Sequence, residues 1–394
     1  MKFDSTTYRI SNPEPLGRKF LYTGLVFLLL SAFGWVTNHE QFYFSYLVSF
    51  MFFITLGLGG LFVTLIHYLT HSVWTIVVKR IPETAMRTLP WMAIFFIPII
   101  FGMHDLYHWT DYDAVAQDAI LSKKVGYLNT PFFLIRAAVY FVIWFGLGSL
   151  IHKFSIQQDE GHESDIYQRL RRVAAPGMFL FALSLTFASF DWLMSLDPHW
   201  YSTIFGVYIF SGSYLTIIAF MTLFTMFIQR RGILKNEVTI EHYHDFGKLL
   251  FAFTVFWAYI AGSQYFLIWY GNIPEETVWF LHRWEGSWKS MSLFLIFAHF
   301  AVPFLVLIFR ASKRNKTVLF AMASLILIMQ FIDLYWIVMP TLHHHGVHFS
   351  WMDITTFVGI GGVFLFLFWK NFTANAIVPV KDEKLQDSIK FLNP

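Results

Sequence analysis

The chain has 394 residues, of which 56% are hydrophobic, 20% aromatic and only 13% charged. About a quarter of the residues in a soluble globular domain are charged, so this composition excludes an ordinary soluble fold. The net charge of +3 gives no indication of a nucleic-acid-binding surface. The chain contains no cysteine, which excludes thioether attachment of haem c, iron–sulfur ligation and thiolate ligation of haem within it.

Ten apolar segments are each long enough to cross a bilayer, whose core of about 30 Å needs roughly 20 helical residues. The sequence therefore predicts an all-α integral membrane protein with spans near residues 20–36, 44–69, 88–103, 132–151, 173–194, 203–228, 247–270, 290–309, 317–339 and 352–370. The polar N-terminus runs into the first span without a small-residue cleavage site, so we expect this span to be retained.

Lysine and arginine are concentrated in both tails and in alternate connections between the spans. Examples in these positions are Lys19, Lys79, Arg80, Arg87, Arg171, Arg172, Arg230, Arg231, Lys235, Lys313, Arg314 and Lys384. The opposite connections hold only Lys123, Lys124, Arg283 and Lys289. Because positive charge accumulates in cytoplasmic loops, both termini are predicted to be cytoplasmic.

The fifth and ninth spans share a short pattern that indicates an internal repeat. Asp191 precedes Pro198 by seven residues, and Asp333 precedes Pro340 by the same number, with a histidine after each proline. The second and sixth spans also share a pattern in which a glycine is followed four residues later by a threonine. The repeat predicts two four-helix bundles in parallel orientation, made of spans 2–5 and 6–9, with spans 1 and 10 outside them.

This organisation divides the chain into six parts. They are a cytoplasmic tail (1–19), a peripheral first span (20–43), a first bundle (44–202), a second bundle (203–339), an outer His-rich connection with span 10 (340–370) and a cytoplasmic C-terminal tail (371–394).

Four ionisable groups lie within or near the apolar spans: His67, Asp191, His299 and Asp333. An ionised group at membrane depth is costly unless it is paired or hydrated, so such groups often mark a route for protons or ions. We therefore predict that these four side chains line a proton route. The competing interpretation is that each group only makes a structural polar contact between helices.

Histidine spacing raises two further hypotheses. The pairs His67/His71 and His104/His108, with the cluster around His343, resemble the boxes of membrane di-iron oxygenases. The predicted topology argues against that function, because it separates these histidines by the thickness of the bilayer, and we predict no metal site. A bis-His haem b site would need a facing pair such as His67 and His299, and one pair is too little to support it.

Two runs resemble a known family, namely FASFDWLMSLDPHWYSTIFGVYIFSGS at 187–213 and SQYFLIWYGNIPEET at 263–277. They are similar to the NrfD/polysulfide-reductase membrane-subunit superfamily, and within it to the ActF-type subunits of alternative complex III, which oxidises quinol and reduces cytochrome c or an oxidase. The resemblance covers essentially the whole chain. It implies a bacterial inner-membrane subunit with no redox cofactor of its own that is not catalytic alone.

The resemblance also implies partners and site residues. The partners are a larger NrfD-like subunit, an iron–sulfur protein, multi-haem c-type cytochrome subunits and a terminal oxidase. The larger subunit is expected to oxidise quinol, whereas this chain contributes proton routes through Asp191 and Asp333. His104 and Asp105 are the candidates for quinone contact. The alternatives are a purely structural anchor of the complex and, less favoured, the di-iron oxygenase.

Overall fold

The computed structural model describes residues 2–161 and 165–393, except the side chains of Lys2 and Glu160. Met1, residues 162–164 and Pro394 belong to the predicted N-terminal tail, first bundle and C-terminal tail, and they lie outside the described residues. Most of the described chain is helical. Its two short strands, Lys2–Asp4 and Arg9–Ser11, pair in antiparallel fashion ahead of the first long helix.

Within the described residues, ten helices are long and apolar enough to cross a membrane, which confirms the predicted number of spans and an all-α, multi-pass architecture. These spans, numbered 1 to 10, are Glu14–Thr37, His39–Thr70, Arg80–Phe101, Thr130–Asp159, Ile166–Leu196, Phe205–Gln229, Ile240–Gly271, Trp288–Leu307, Lys316–Thr341 and Trp351–Ala374.

Short helices fill the connections. The α-helical ones are Met103–Leu106, Tyr112–Gln117, Leu121–Lys124, Pro274–His282, Arg310–Arg314 and Leu385–Ile389. The 3₁₀ turns are Ile76–Val78, His108–Thr110, Met194–Leu196 and Met339–Thr341, of which the last two end spans 5 and 9.

Span 3 begins at Arg80, not at residue 88 as predicted from hydropathy. Its first turns contain Arg80 and Glu83, which are buried and bonded to each other at 2.7 Å, so polar residues are accommodated there. The span consists of the helices Arg80–Met86, Leu89–Phe95 and Ile97–Phe101, and the two later pieces each begin with a proline in their first turn. Proline lacks the N–H of a continuous helix, which accounts for the breaks.

Span 8 is also irregular. It begins as an α-helix over Trp288–Leu295, widens into a π-helix over Ile296–Ala301 and ends as the helix Val302–Leu307. Such π turns are rare and occur frequently at functional sites. His299 lies on this turn, so the irregular backbone coincides with one of the predicted site residues.

Span 2 lies at the centre of the molecule, where it packs against spans 3, 5, 6, 9 and 10. Small residues permit the close approach: a Cβ added at Gly59 would lie 2.5 Å from the carbonyl oxygen of Ser213 in span 6. Span 1 packs mainly on span 10, through Gly24 against Gly362. The division into two bundles and the six-part boundaries stay predictions.

Both chain termini lie at the same end of the helices. The indole N–H of Trp369 donates to the Pro13 carbonyl at 2.9 Å, and the N–H of Ile377 donates to the Tyr8 carbonyl at 2.9 Å. We call this the terminal end, and the other the opposite end. The cytoplasmic location of the terminal end stays a prediction.

Candidate functional site

Asp191 forms a buried ion pair with Arg136 of span 4. The carboxylate is 1% exposed and accepts from Arg136 Nε at 2.8 Å and Nη2 at 2.9 Å. Tyr140, one turn further along span 4, donates its hydroxyl at 2.7 Å. The guanidinium also lies over the Tyr127 ring, 3.9 Å from its centroid. The charge of Asp191 is therefore neutralised by a fixed, bidentate partner.

Asp333, the repeat counterpart of Asp191, has no such cation. Its carboxyl group is 2% exposed and accepts from the Tyr208 hydroxyl and, at 3.3 Å, from the indole N–H of Trp257. Among the residues that the structure describes, no Lys, Arg or His lies within ion-pair distance of it. Two neutral donors therefore hold this buried acid, and its charge is not compensated locally.

The second half of the chain does contain a buried arginine, but it bonds to backbone oxygens. Arg283 is 2% exposed and donates to the carbonyls of Trp279, Trp336 and Ile337 at 2.9, 3.2 and 2.6 Å. Burial lowers the pKa of Arg283 to about 9. Its guanidinium caps the end of span 9, so the two repeat halves differ in electrostatics although their aspartates match in sequence.

A cavity of about 510 Å³ opens beside Asp333, between spans 6, 7, 8 and 9. Half of its lining residues are aromatic, including Trp257, Tyr265, Trp279 and Trp336, while Asp333 and a few other polar residues face it. Ligand pockets commonly have this size and this combination of apolar walls with a few placed polar groups. The cavity therefore places a ligand-sized space beside the Asp333 side chain.

Several buried polar atoms near this cavity have no hydrogen-bond partner among the described residues. They include both ring nitrogens of His299, Oε1 of Gln264, Oγ1 of Thr254 and Oε1 of Gln330. Gln264 lines the cavity, and the His299 ring lies 4.1 Å from that of Trp257, which bonds Asp333. Bridging water commonly satisfies buried polar groups of this kind.

His67 lies elsewhere, beside a buried polar network at the terminal end. Its Nδ1 is 2.6 Å from the Thr75 hydroxyl. The adjacent Tyr68 donates to Glu83 at 2.7 Å, and Glu83 also accepts from Ser155 at 2.9 Å. The four residues predicted to line one proton route are thus divided: Asp333 and His299 are neighbours, whereas Asp191 and His67 have separate surroundings.

The same network holds the C-terminal tail. Lys79, whose side chain is 2% exposed, donates to Asp382 at 3.0 Å and to Gln158 at 3.0 Å. Further along the tail, the Ser388 hydroxyl accepts from Val77 N at 3.3 Å. Burial raises the pKa of Asp382, but the Lys79 ammonium outweighs this effect, and the net pKa lies below its ordinary value.

Replacing Asp382 with asparagine is expected to release the tail, because the buried Lys79 ammonium loses its counter-charge. Since the folded-state pKa of Asp382 is lowered, its contribution is complete above the unfolded value of about 3.9 and is lost as pH falls through the folded one. Hydrogen exchange over residues 377–391 should therefore be slow at pH 7 in the wild type and fast in the variant. Asp387→Asn, an exposed change in the same tail, is the control. Equal protection in both variants would show that the Lys79–Asp382 pair does not hold the tail.

The histidine motifs lie at different ends of the helices. His71 is near Lys384 of the C-terminal tail, at 3.5 Å, whereas His343 contacts Gln41 at the start of span 2, at 2.7 Å. Span 2 is 32 residues, or about 48 Å, long. Within the described residues no group of three or more His, Cys, Asp or Glu is placed to hold a metal ion, and this separation disfavours a di-iron site.

The predicted quinone contacts lie at the opposite end. Asp105 pairs with His39 at 3.0 Å, and it lines a shallow cavity with Trp35 and Tyr43. His104 is exposed and makes only a long contact, 3.4 Å, with Thr110. Both residues are separate from the Asp333 cavity, and their contact with quinone stays a prediction.

No family model matches this chain, and a search of curated proteins found no similar sequence. The fold and the site define a class: a helical membrane protein with ten spans among its described residues, in which the repeat aspartate of span 5 is ion-paired and that of span 9 is cation-free.

Proposed function

We propose that this chain is an integral membrane subunit of a quinol-oxidising respiratory complex of the alternative complex III type, and that it carries protons through buried side chains. The resemblance of the runs at 187–213 and 263–277 supports this assignment. In the proposal the chain resides in the bacterial inner membrane with cytoplasmic termini. Electron transfer occurs in its partners, which are a larger NrfD-like subunit, an iron–sulfur protein and multi-haem c-type cytochromes. The cytochromes deliver the electrons to a terminal oxidase or a soluble cytochrome.

The observation that carries the proposal is the cation-free Asp333 at the wall of a cavity. An acid at membrane depth must be paired, hydrated or protonated. Asp191 is paired, and its bidentate bond to Arg136 opposes proton exchange. Asp333 has instead a cavity from which a proton can arrive, and Tyr208 and Trp257 to orient its carboxyl group. Asp333 is therefore the stronger candidate for a proton-exchanging group.

A route beyond Asp333 is supported by the unpartnered atoms around it. Gln330 lies one turn before Asp333 on span 9, and Thr254 lies one turn before Trp257 on span 7, in each case toward the terminal end. Water between these atoms and His299 would extend the route in that direction. In this proposal the half-route runs along spans 7, 8 and 9, and His67 belongs to a separate entrance at the terminal end.

A second candidate function is binding of the quinone ring itself in the cavity. The aromatic wall favours it, because flat apolar ligands suit such pockets. Quinol oxidation releases two protons and two electrons. The residues present fit this role: the Asp333 carboxylate could accept a proton, and Gln264 offers a free amide oxygen.

Filling the cavity tests both functions. Gly262 is exposed and lines the cavity, and an added Cβ there meets no atom within 4 Å, so a larger side chain can be placed at the open side of the cavity without moving the backbone. For the assembled complex bearing Gly262→Leu, we expect quinol-dependent turnover to fall about tenfold or more with an unchanged KM, because proton delivery to Asp333 is obstructed.

The control is Gly146→Leu in span 4, where an added Cβ also meets nothing within 4 Å, away from the cavity. A raised KM with unchanged maximal turnover in Gly262→Leu would instead support quinone binding. If neither parameter differs between the two variants, both functions are wrong, and a structural anchor remains. The buried Arg136–Asp191 pair is the observation that favours this anchor.

A further inference from the structure

A second and larger cavity, of about 830 Å³, lies between spans 1, 2, 6, 9 and 10. We call it the lipid groove. Its wall is almost entirely apolar and includes Phe53, Phe220 and Phe357, and its few polar side chains include the hydroxyls of Thr23 and Ser324. None of the ionisable residues discussed above as proton carriers lines it, so the groove is independent of the proposed proton route.

The lipid groove is shorter than a whole span. Its lining covers residues 16–23 of span 1, 324–331 of span 9 and 357–365 of span 10. Eight helical residue steps extend about 12 Å. A bilayer with its headgroup layers is about 40–45 Å thick. The groove is therefore too short for a whole transmembrane helix, whereas part of an acyl chain fits this length.

Two cations lie at the mouth of the groove. Lys19 lines the groove and also a smaller adjoining cavity, whose other lining residues include Arg231. Both side chains are exposed, and neither has an ion-pair partner in the described parts of the chain. The Arg231 guanidinium is held over the Phe227 ring, 3.7 Å from its centroid. In contrast, the neighbouring Arg18 is neutralised by Glu14 at 2.6 Å.

We propose that the lipid groove binds an anionic phospholipid, with an acyl chain between the spans and the phosphate group between Lys19 and Arg231. Basic pockets between transmembrane helices are established sites for anionic headgroups. The apolar wall below the cations suits a hydrocarbon chain and lacks the polar groups that a soluble anion would need. The proposal does not depend on the function of the complex, because it rests only on this chain and the membrane.

Native mass spectrometry of the purified full-length chain tests the proposal, with phosphatidylglycerol and phosphatidylcholine of identical acyl chains as probes. We expect one phosphatidylglycerol per chain to bind selectively. Removing one cation, by Lys19→Gln or Arg231→Gln, should weaken its binding about fivefold, because each basic residue near an anionic headgroup adds a favourable term of that size. The double variant should bind the two lipids equally.

Arg18→Gln is the matched control, since this arginine is already paired, and it should leave the preference unchanged. Ser324→Phe should fill the groove and abolish binding; a thermal unfolding midpoint equal to that of the wild type shows that it still folds. Equal binding of both lipids to the wild type, or unchanged selectivity in the double variant, would overturn the proposal. So would a photo-crosslink from position 324 to a partner subunit in the assembled complex, because a protein helix would then occupy the groove.

Discussion

Replacing Arg136 with methionine is expected to destabilise the folded chain by about 3–5 kcal/mol, because it leaves the Asp191 carboxylate buried without a counter-charge. Asp191 would keep only the Tyr140 hydroxyl as a side-chain donor among its present partners. The arginine also donates to the Tyr127 carbonyl at 2.9 Å, so a contact with the preceding connection is lost as well. Thermal or chemical unfolding of the purified chain in detergent measures this effect.

The double variant Arg136→Met, Asp191→Asn should recover much of the lost stability, since it removes both charges at once and keeps a polar side chain near Tyr140. Arg172→Met, an exposed change on the helix that carries Asp191, is the control and should alter stability by less than about 0.5 kcal/mol. Full stability in the single variant would show that the pair does not hold spans 4 and 5 together, and would return Asp191 to the proton-route hypothesis.

Replacing Asp333 with asparagine is expected to lower proton-coupled quinol oxidation by the assembled complex about 10²-fold or more, the usual contribution of a positioned acid or base. The asparagine amide keeps the shape of the carboxyl group and can still accept from Tyr208. We expect the loss of stability to be small, about 1–2 kcal/mol, because no buried cation is left unpaired and only the bond from Trp257 is compromised. Activity and stability should thus change independently.

Asp353→Asn provides a matched control for this variant. Asp353 is another buried acid in a span, 3% exposed, and it accepts from Ser45 at 2.5 Å and from the backbone N–H of Ser350 at 2.8 Å. It does not line the Asp333 cavity. The control should retain its quinol-oxidation rate, and a rate for Asp333→Asn equal to that of the control would contradict the proton-carrying role.

The repeat illustrates how similar sequences acquire different chemistry. Asp191 and Asp333 stand at equal distances before a proline, yet the first faces an arginine from span 4 and the second faces a tyrosine and a tryptophan. A buried ion pair is held by its geometry, whereas a cation-free acid beside a cavity can exchange with its surroundings. The two positions therefore suit stability and proton transfer, respectively.

Part of the candidate site was accessible from the sequence. Asp333 and His299 were identified because ionisable residues are rare in apolar segments. Their partners Tyr208 and Trp257 were not identified, because aromatic residues are abundant in every span and carry no distinguishing signal. Arg136 lies inside the predicted span 132–151, but its pairing with Asp191 depends on the rotation of two helices about their axes, which hydropathy does not encode.

The buried network at the terminal end was missed for a related reason. From the sequence, Lys79 and Arg80 belong to a connection whose positive charge indicates topology, and Asp382 belongs to a polar tail. In the structure Lys79 pairs with Asp382 and Arg80 pairs with Glu83, at a buried junction of distant segments. The sequence indicates the free-energy cost of burying each charge separately. Only the tertiary contacts show which charges compensate each other.

Composition and hydropathy are sufficient to predict a membrane protein, to count its spans and to exclude cysteine-ligated redox centres in this chain. These properties are sums over local residues, so they need no tertiary contacts. Only the tertiary contacts show which of the two repeat aspartates is ion-paired, where the two cavities lie and which cations beside the lipid groove have no ion-pair partner among the described residues. Those properties depend on the register and rotation of helices separated by up to hundreds of residues. The distinction between an ion-paired and a cation-free acid is therefore a property of the packed helices and not of either segment.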